Sequence, residues 1–179
     1  MENDERPDAA EDQPVEAEWP GAGGNGAGPR DAIANARRAL APVQAALEQA
    51  GFYAYGTVDD QNRWTIAVDD EAGHVDIRIG GDGFRVELWA TSPGLYVEEE
   101  NEFRRRALER LARITLPNVA RGSLAPHQSA WWDEAERGIA VRLRYDLPFA
   151  RAADVGQFVR GKLTELEELL GFVEREVAA

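Results

Sequence analysis

The sequence predicts an α+β fold, a two-layer sandwich in the order α-βββ(β)-α-ββ-α with an antiparallel sheet covered by helices on one face. Three observations predict it. Apolar residues recur every three or four positions in three separate stretches and every second position in the segments between them. The alternating segments are joined by short turns rich in Gly, Asp and Asn, too short for parallel crossovers, so neighbouring strands run antiparallel. Each alternating segment carries one apolar and one polar set, leaving the sheet one face to bury and three helices to bury it.

The domain is expected over residues 30–179. Asp31 is the candidate N-cap of the first helix, with Ile33, Ala36, Leu40, Val43, Leu47 and Ala50 on its buried stripe. Pro42 is expected to kink or split that helix because it lacks the amide donor, and Gly51 to end it. Phe52–Val58 reads as a strand. Trp64, Ile66 and Val68 alternate with Arg63, Thr65 and Asp69; Val75, Ile77 and Ile79 alternate with His74, Asp76 and Arg78; Phe84, Val86 and Leu88 alternate with Arg85, Glu87 and Trp89. Turns fall at 59–62, 70–73 and 80–83. A second helix is expected over about 97–116, with Phe103, Ala107, Leu111 and Ile114 inward and Pro117 as its stop. Gln128–Asp133 and Ile139–Leu147 form a hairpin. The last helix opens at Asp154 and bears the strongest stripe in the chain, from Val155 through Leu163, Leu166 and Val173 to Val177.

Residues 1–29 differ from the rest. They are acidic, then rich in Gly, Pro and Ala, with only Val15 and Trp19 to bury. Such a segment cannot offset its ordering entropy, so a disordered tail and Gly-rich linker are expected. Eight acids against Arg6 and Arg30 give residues 1–30 a charge of −6, out of −13 for the whole chain. That balance disfavours phosphate backbones, so direct nucleic-acid binding is not expected. The absence of cysteine excludes disulfides and thiolate metal sites. The opening residues lack the basic-then-apolar layout of a signal peptide, and no apolar run approaches the roughly 18 residues of a membrane span. A cytoplasmic, non-membrane protein is the expectation.

The residue patterns point away from catalysis. Gly80–Gly83 leads into a strand, so it offers no helix N-terminus to a phosphate. The acid pairs at 59–60 and 69–71 lack the calcium-loop spacing, and His74 and His127 have no ligand partner at a usual interval. No serine sits in a nucleophile elbow. No cofactor, metal or catalytic residue is expected. In the basic run Arg104–Arg106, with Arg110 and Arg113, the pairs Glu100–Arg104, Glu102–Arg106 and Glu109–Arg113 set an acid four residues before a base, the pattern of a salt-bridged solvent face.

One set of residues suggests a function. The alternations place Arg63, Arg78, Arg85, Arg142 and Arg144 on the polar sheet face with Trp89. Trp131 and Trp132 are neighbours on one strand, so one of them joins this face. Arg and Trp are the types most enriched at binding hot spots. The competing reading is a solvated face on which Asp76, Glu87 and Asp146 pair with the arginines.

The element order, the stretches Phe84–Trp89 and Ile139–Pro148, and the Glu98–Pro117 helix resemble the YbjN-like sensory-transduction-regulator family, whose fold is shared with type III secretion chaperones. The resemblance covers about residues 31–178 and rests on no catalytic motif. It implies a non-enzymatic cytoplasmic homodimer that holds a client polypeptide, and in its damage-response branch a single-stranded-DNA-binding protein as that client. The acidic tail is not part of the family pattern. A regulator acting at nucleic acid and a small-ligand-binding module are the alternatives.

Overall fold

The computed structural model describes residues 28–92 and 95–179. Residues 1–27 of the expected tail and linker lie outside the described residues. The elements are α1 (Pro29–Gln49), β1 (Ala54–Val58), β2 (Trp64–Asp70), β3 (Gly73–Gly80), β4 (Gly83–Ser92), α2 (Glu102–Ser123), β5 (Gln128–Asp133), β6 (Gly138–Pro148), a 3-10 turn over Phe149–Asp154, and α3 (Val155–Ala178). The six strands form one antiparallel sheet in the order β1-β2-β3-β4-β6-β5. The α+β sandwich is therefore the observed fold.

The alternation decides which residues reach the core. Ile66, Val68, Val75, Ile77, Phe84, Val86, Leu88, Val141 and Leu143 point to one face, where they meet Leu40, Val43 and Leu47 of α1 and Val159, Leu166 and Val173 of α3. Burying an aliphatic or aromatic side chain of this size contributes about 1.5–3 kcal/mol relative to exposure. This cluster is thus the principal source of stability. Gly156 lets α3 close on α1, since a Cβ there would lie 2.5 Å from that of Ala50 and 2.8 Å from the Ala46 carbonyl oxygen.

Three expectations about the helices need correction. The N-cap of α1 is Gly28, with Pro29 following it; Asp31 sits one turn in, where its carboxylate accepts from the Gly28 amide at 3.2 Å. Pro42 does not split α1, which runs through it unbroken. Both Arg38 and Pro42 are exposed, so water can take up the carbonyl that the missing amide leaves free. Gly51 does end the helix, in the left-handed conformation (φ +92°) that a glycine adopts without strain.

The third correction concerns α2. Pro117 does not stop it, and its expected inward stripe is the one that faces solvent. Phe103, Leu111 and Ile114 are 85%, 57% and 62% exposed, and Ala107 is exposed between them. The side turned to β5 and α3 instead carries Glu109, Ala112 and Leu116, with Leu108 and Val119 partly buried. Ionic contacts hold that side down. Buried Glu109 pairs with Arg137 at 2.9 Å, and Arg113 holds Glu134 through two bonds of 2.7 and 3.0 Å.

Candidate functional site

The face of the sheet away from the helices is a register-defined lattice of polar side chains. One row runs Thr65, Arg78, Arg85, Asp146; the next Ala67, Asp76, Glu87, Arg144; the third Asp69, His74, Trp89, Arg142, Ser129. The expected gathering of arginines does occur for Arg78, Arg85, Arg142 and Arg144, because β3, β4 and β6 are adjacent. Arg63 stays apart. It lies in the turn before β2, tied to Asp59 at 2.8 Å.

Most of these arginines are already engaged. Arg85 grips Asp146 through two bonds of 2.8 and 3.3 Å, and that pairing holds the Asp146 carboxyl below its usual range. Glu87, nearly buried, accepts from Arg78 at 3.0 Å and lies 3.8 Å from Arg144. The solvated-face alternative therefore describes Arg78, Arg85 and Arg144 well. The cause is the register, which sets an acid beside or diagonal to each of the three.

Arg142 is different. Among the described residues it forms no ion pair, and its buried Nε lacks a hydrogen-bond partner. Its cross-strand neighbours are Trp89 and Ser129, and its guanidinium lies 5.7 Å from the centre of the Trp131 ring. Trp131 is thus the outward member of the tryptophan pair. Trp132 turns to the helical layer, with Arg113 5.1 Å over its ring.

The strip extends to His74, for which the sequence predicts no site. His74 lies 4.4 Å from Trp89, ring centre to ring centre. Two carboxylates hold its imidazole: Asp76 at 3.0 Å and Asp69 at 2.5 Å, the latter also accepting from the Tyr55 hydroxyl at 2.8 Å. The Asp76 hydrogen bond, then the one to Asp69, raises the His74 pKa against the opposing effect of burial, while His74 and then Tyr55 lower that of Asp69. The signal was present in the chain: in a tight turn at 70–73, Asp69 and His74 must face one another across the hairpin.

Four groups with flat faces, His74, Trp89, Arg142 and Trp131, therefore span β3, β4, β6 and β5 in a continuous strip. Flat, rigid side chains with one unpaired cation suit a partner that offers apolar or aromatic surface together with a carboxylate. Among the described residues no group of three or more His, Asp or Glu side chains is placed to hold a metal ion. No helix of the described residues is long and apolar enough to cross a membrane. Comparison with family models, with curated proteins and with solved structures finds no match to this chain.

Proposed function

We propose that the protein is a non-enzymatic cytoplasmic adaptor of the chaperone kind, a homodimer that holds a client polypeptide. The observation that carries this reading is the orientation of α2, which sets three large apolar side chains in water while its protein-facing side buries only Ala112, Leu116 and the ion-paired Glu109. A helix with that polarity reads as half of an interface. The dimer forms through the stripe Phe103–Ala107–Leu111–Ile114, and the client binds on the strip of Trp89, Arg142 and Trp131. The client's contact segment is acidic and carries an aromatic residue, matching the unpaired Arg142 and its flanking rings. The resemblance to YbjN-like proteins and type III secretion chaperones supports the same reading and adds a single-stranded-DNA-binding protein as one client to try.

Contact with nucleic acid by α2 is disfavoured by the pairing of Arg104, Arg106 and Arg113, although among the described residues only Glu102–Arg106 of the expected i,i+4 pairs forms. Arg104 meets Glu99 at 3.3 Å, Arg106 meets Glu102 at 2.7 Å, and Arg113 meets Glu134.

Sedimentation tests the dimer. The chain should run as a dimer at micromolar concentration, and Leu111→Glu should dissociate it. Loss of one such buried side chain costs about 1.5–3 kcal/mol, or roughly ten- to a hundredfold in dissociation constant. A monomeric wild-type chain at that concentration refutes the dimer. For the client face, titration with an acidic, Phe-containing peptide should show binding that Arg142→Glu abolishes and Leu111→Glu leaves intact.

A further inference from the structure

A cleft of roughly 460 Å³ opens beneath the first half of α1, at the end of the sheet where β2 begins and β3 stops. Ile33 and Ala36 form its roof, Trp64 and Ile79 its apolar walls, and Arg63 and Arg78 line it as well. The volume falls within the range of about 300–1,000 Å³ typical of sites that enclose a ligand. Trp64 lines the cleft with its ring, which packs against Gly56, while its Nε1 is buried without a hydrogen-bond partner. The cleft's lining arginines, Arg63 and Arg78, are paired with Asp59 and Glu87, so the unpaired cations near it lie on α1. Arg37 lies 5.4 Å over the Trp64 ring, and Arg30, Arg37 and Arg38 form no ion pair among the described residues. This cleft is separate from the strip of Trp89, Arg142 and Trp131.

We propose that the cleft receives the chain's own N-terminal segment, with the Trp19 indole seated between α1 and the β2–β3 end and the acids Glu11, Asp12, Glu16 and Glu18 facing the surrounding arginines. Two observations select this occupant. The first is charge: residues 1–27 carry eight acids and one arginine, the complement of an apolar cleft with unpaired cations around it. Trp19 is also the only aromatic residue in that segment. The second is reach. Eight residues lie between Trp19 and Gly28, and a Gly-rich tether of nine Cα–Cα steps has a root-mean-square span of about 15–18 Å. From Gly28 to Ala36 the α1 helix rises about 12 Å. The tether thus matches the distance it must cover, the condition under which effective concentration is highest.

The test is ¹⁹F NMR of the full chain labelled with 5-fluorotryptophan, the Trp19 and Trp64 signals assigned by Trp19→Phe and Trp64→Phe. In the intact chain the Trp19 signal should stand away from that of a synthetic peptide of residues 9–21. It should return to the peptide position in Ile79→Glu, which puts a carboxylate in the cleft, and in the helix-surface variant Ala36→Glu. The Trp64 signal should shift when Trp19 is replaced by alanine. Rising salt should weaken the docked state because the attraction is partly ionic. A Trp19 signal at the peptide position in the unaltered chain overturns the proposal. So does a Trp64 signal that answers to Ile79→Glu but not to Trp19→Ala, which would mean another occupant. A docked signal that grows with protein concentration assigns the cleft to a neighbour's tail and overturns the intramolecular contact.

Discussion

Glu87→Ala measures how much of the sheet's polar face is committed to holding the fold. The Glu87 side chain is 11% exposed and that of its partner Arg78 only 17%, so truncation strands a guanidinium that water reaches poorly. Removing one member of a fully buried pair costs about 3–5 kcal/mol. Here two circumstances reduce that figure: Arg78 can turn partly to solvent, and the truncation relieves the repulsion of Asp76, which lies directly opposite Glu87. A loss of about 2 kcal/mol is the expected outcome. For a domain of this size each kcal/mol lowers the melting midpoint by about 2–4 °C, so the shift should be about 4–8 °C. Asp146→Ala provides the contrast. Its carboxylate is 61% exposed, and an exposed pair contributes only about 0.2–1 kcal/mol even with the two-bond geometry of Arg85. Urea and thermal melts of both variants, with unchanged m values, provide the numbers. A double-mutant cycle should give Arg78–Glu87 a coupling clearly larger than that of Arg85–Asp146. Equal losses at the two sites, or no coupling between Arg78 and Glu87, would refute the argument that burial separates them.

Further outcomes follow from the same geometry. Within α3, Gly156→Ala should destabilise, because its Cβ meets Ala50 and the Ala46 carbonyl, whereas Gly161→Ala meets nothing within 4 Å and should stabilise by up to about 1 kcal/mol; opposite signs in thermal melts are the check. His74 has a raised pKa when folded, so its contribution is complete below the unfolded value of about 6.5 and is lost as pH rises through the higher folded value. Asp69, with a lowered pKa, contributes above about 3.9 and loses that contribution as pH falls through its folded value. Stability measured against pH should therefore decline on the alkaline side of 6.5, and His74→Gln should flatten that decline; an unchanged slope would show that the two carboxylates do not hold the imidazolium.

The sequence by itself determined the order of the elements, the parity of β2, β3, β4 and β6 and the buried stripe of α3, whereas only the pairing of β5 with β6 decided which of Trp131 and Trp132 faces outward. The first three depend on neighbours along the chain. Alternation at Val75–Ile79 or Phe84–Leu88 leaves a strand one way to face the core, and the stripe from Val155 to Val177 has no rival on its helix. The helix α2 shows where local pattern stops. It has two stripes at helical spacing, Phe103–Ala107–Leu111–Ile114 and Leu108–Ala112–Leu116–Val119, and the chain alone favoured the one with the larger side chains. What opposes the helix decided otherwise: β5 and α3 pack on the side where Ala112 and Leu116 are buried, while Arg137, from a distant turn, meets Glu109. The arginine face follows the same rule. Alternation placed four of its arginines correctly, but only the pairing of β4 with β3 and β6 set Glu87 and Asp146 where they could engage three of them. Charge on a residue is local, whereas its neutralisation depends on which strand lies alongside, and that is settled only when the sheet closes.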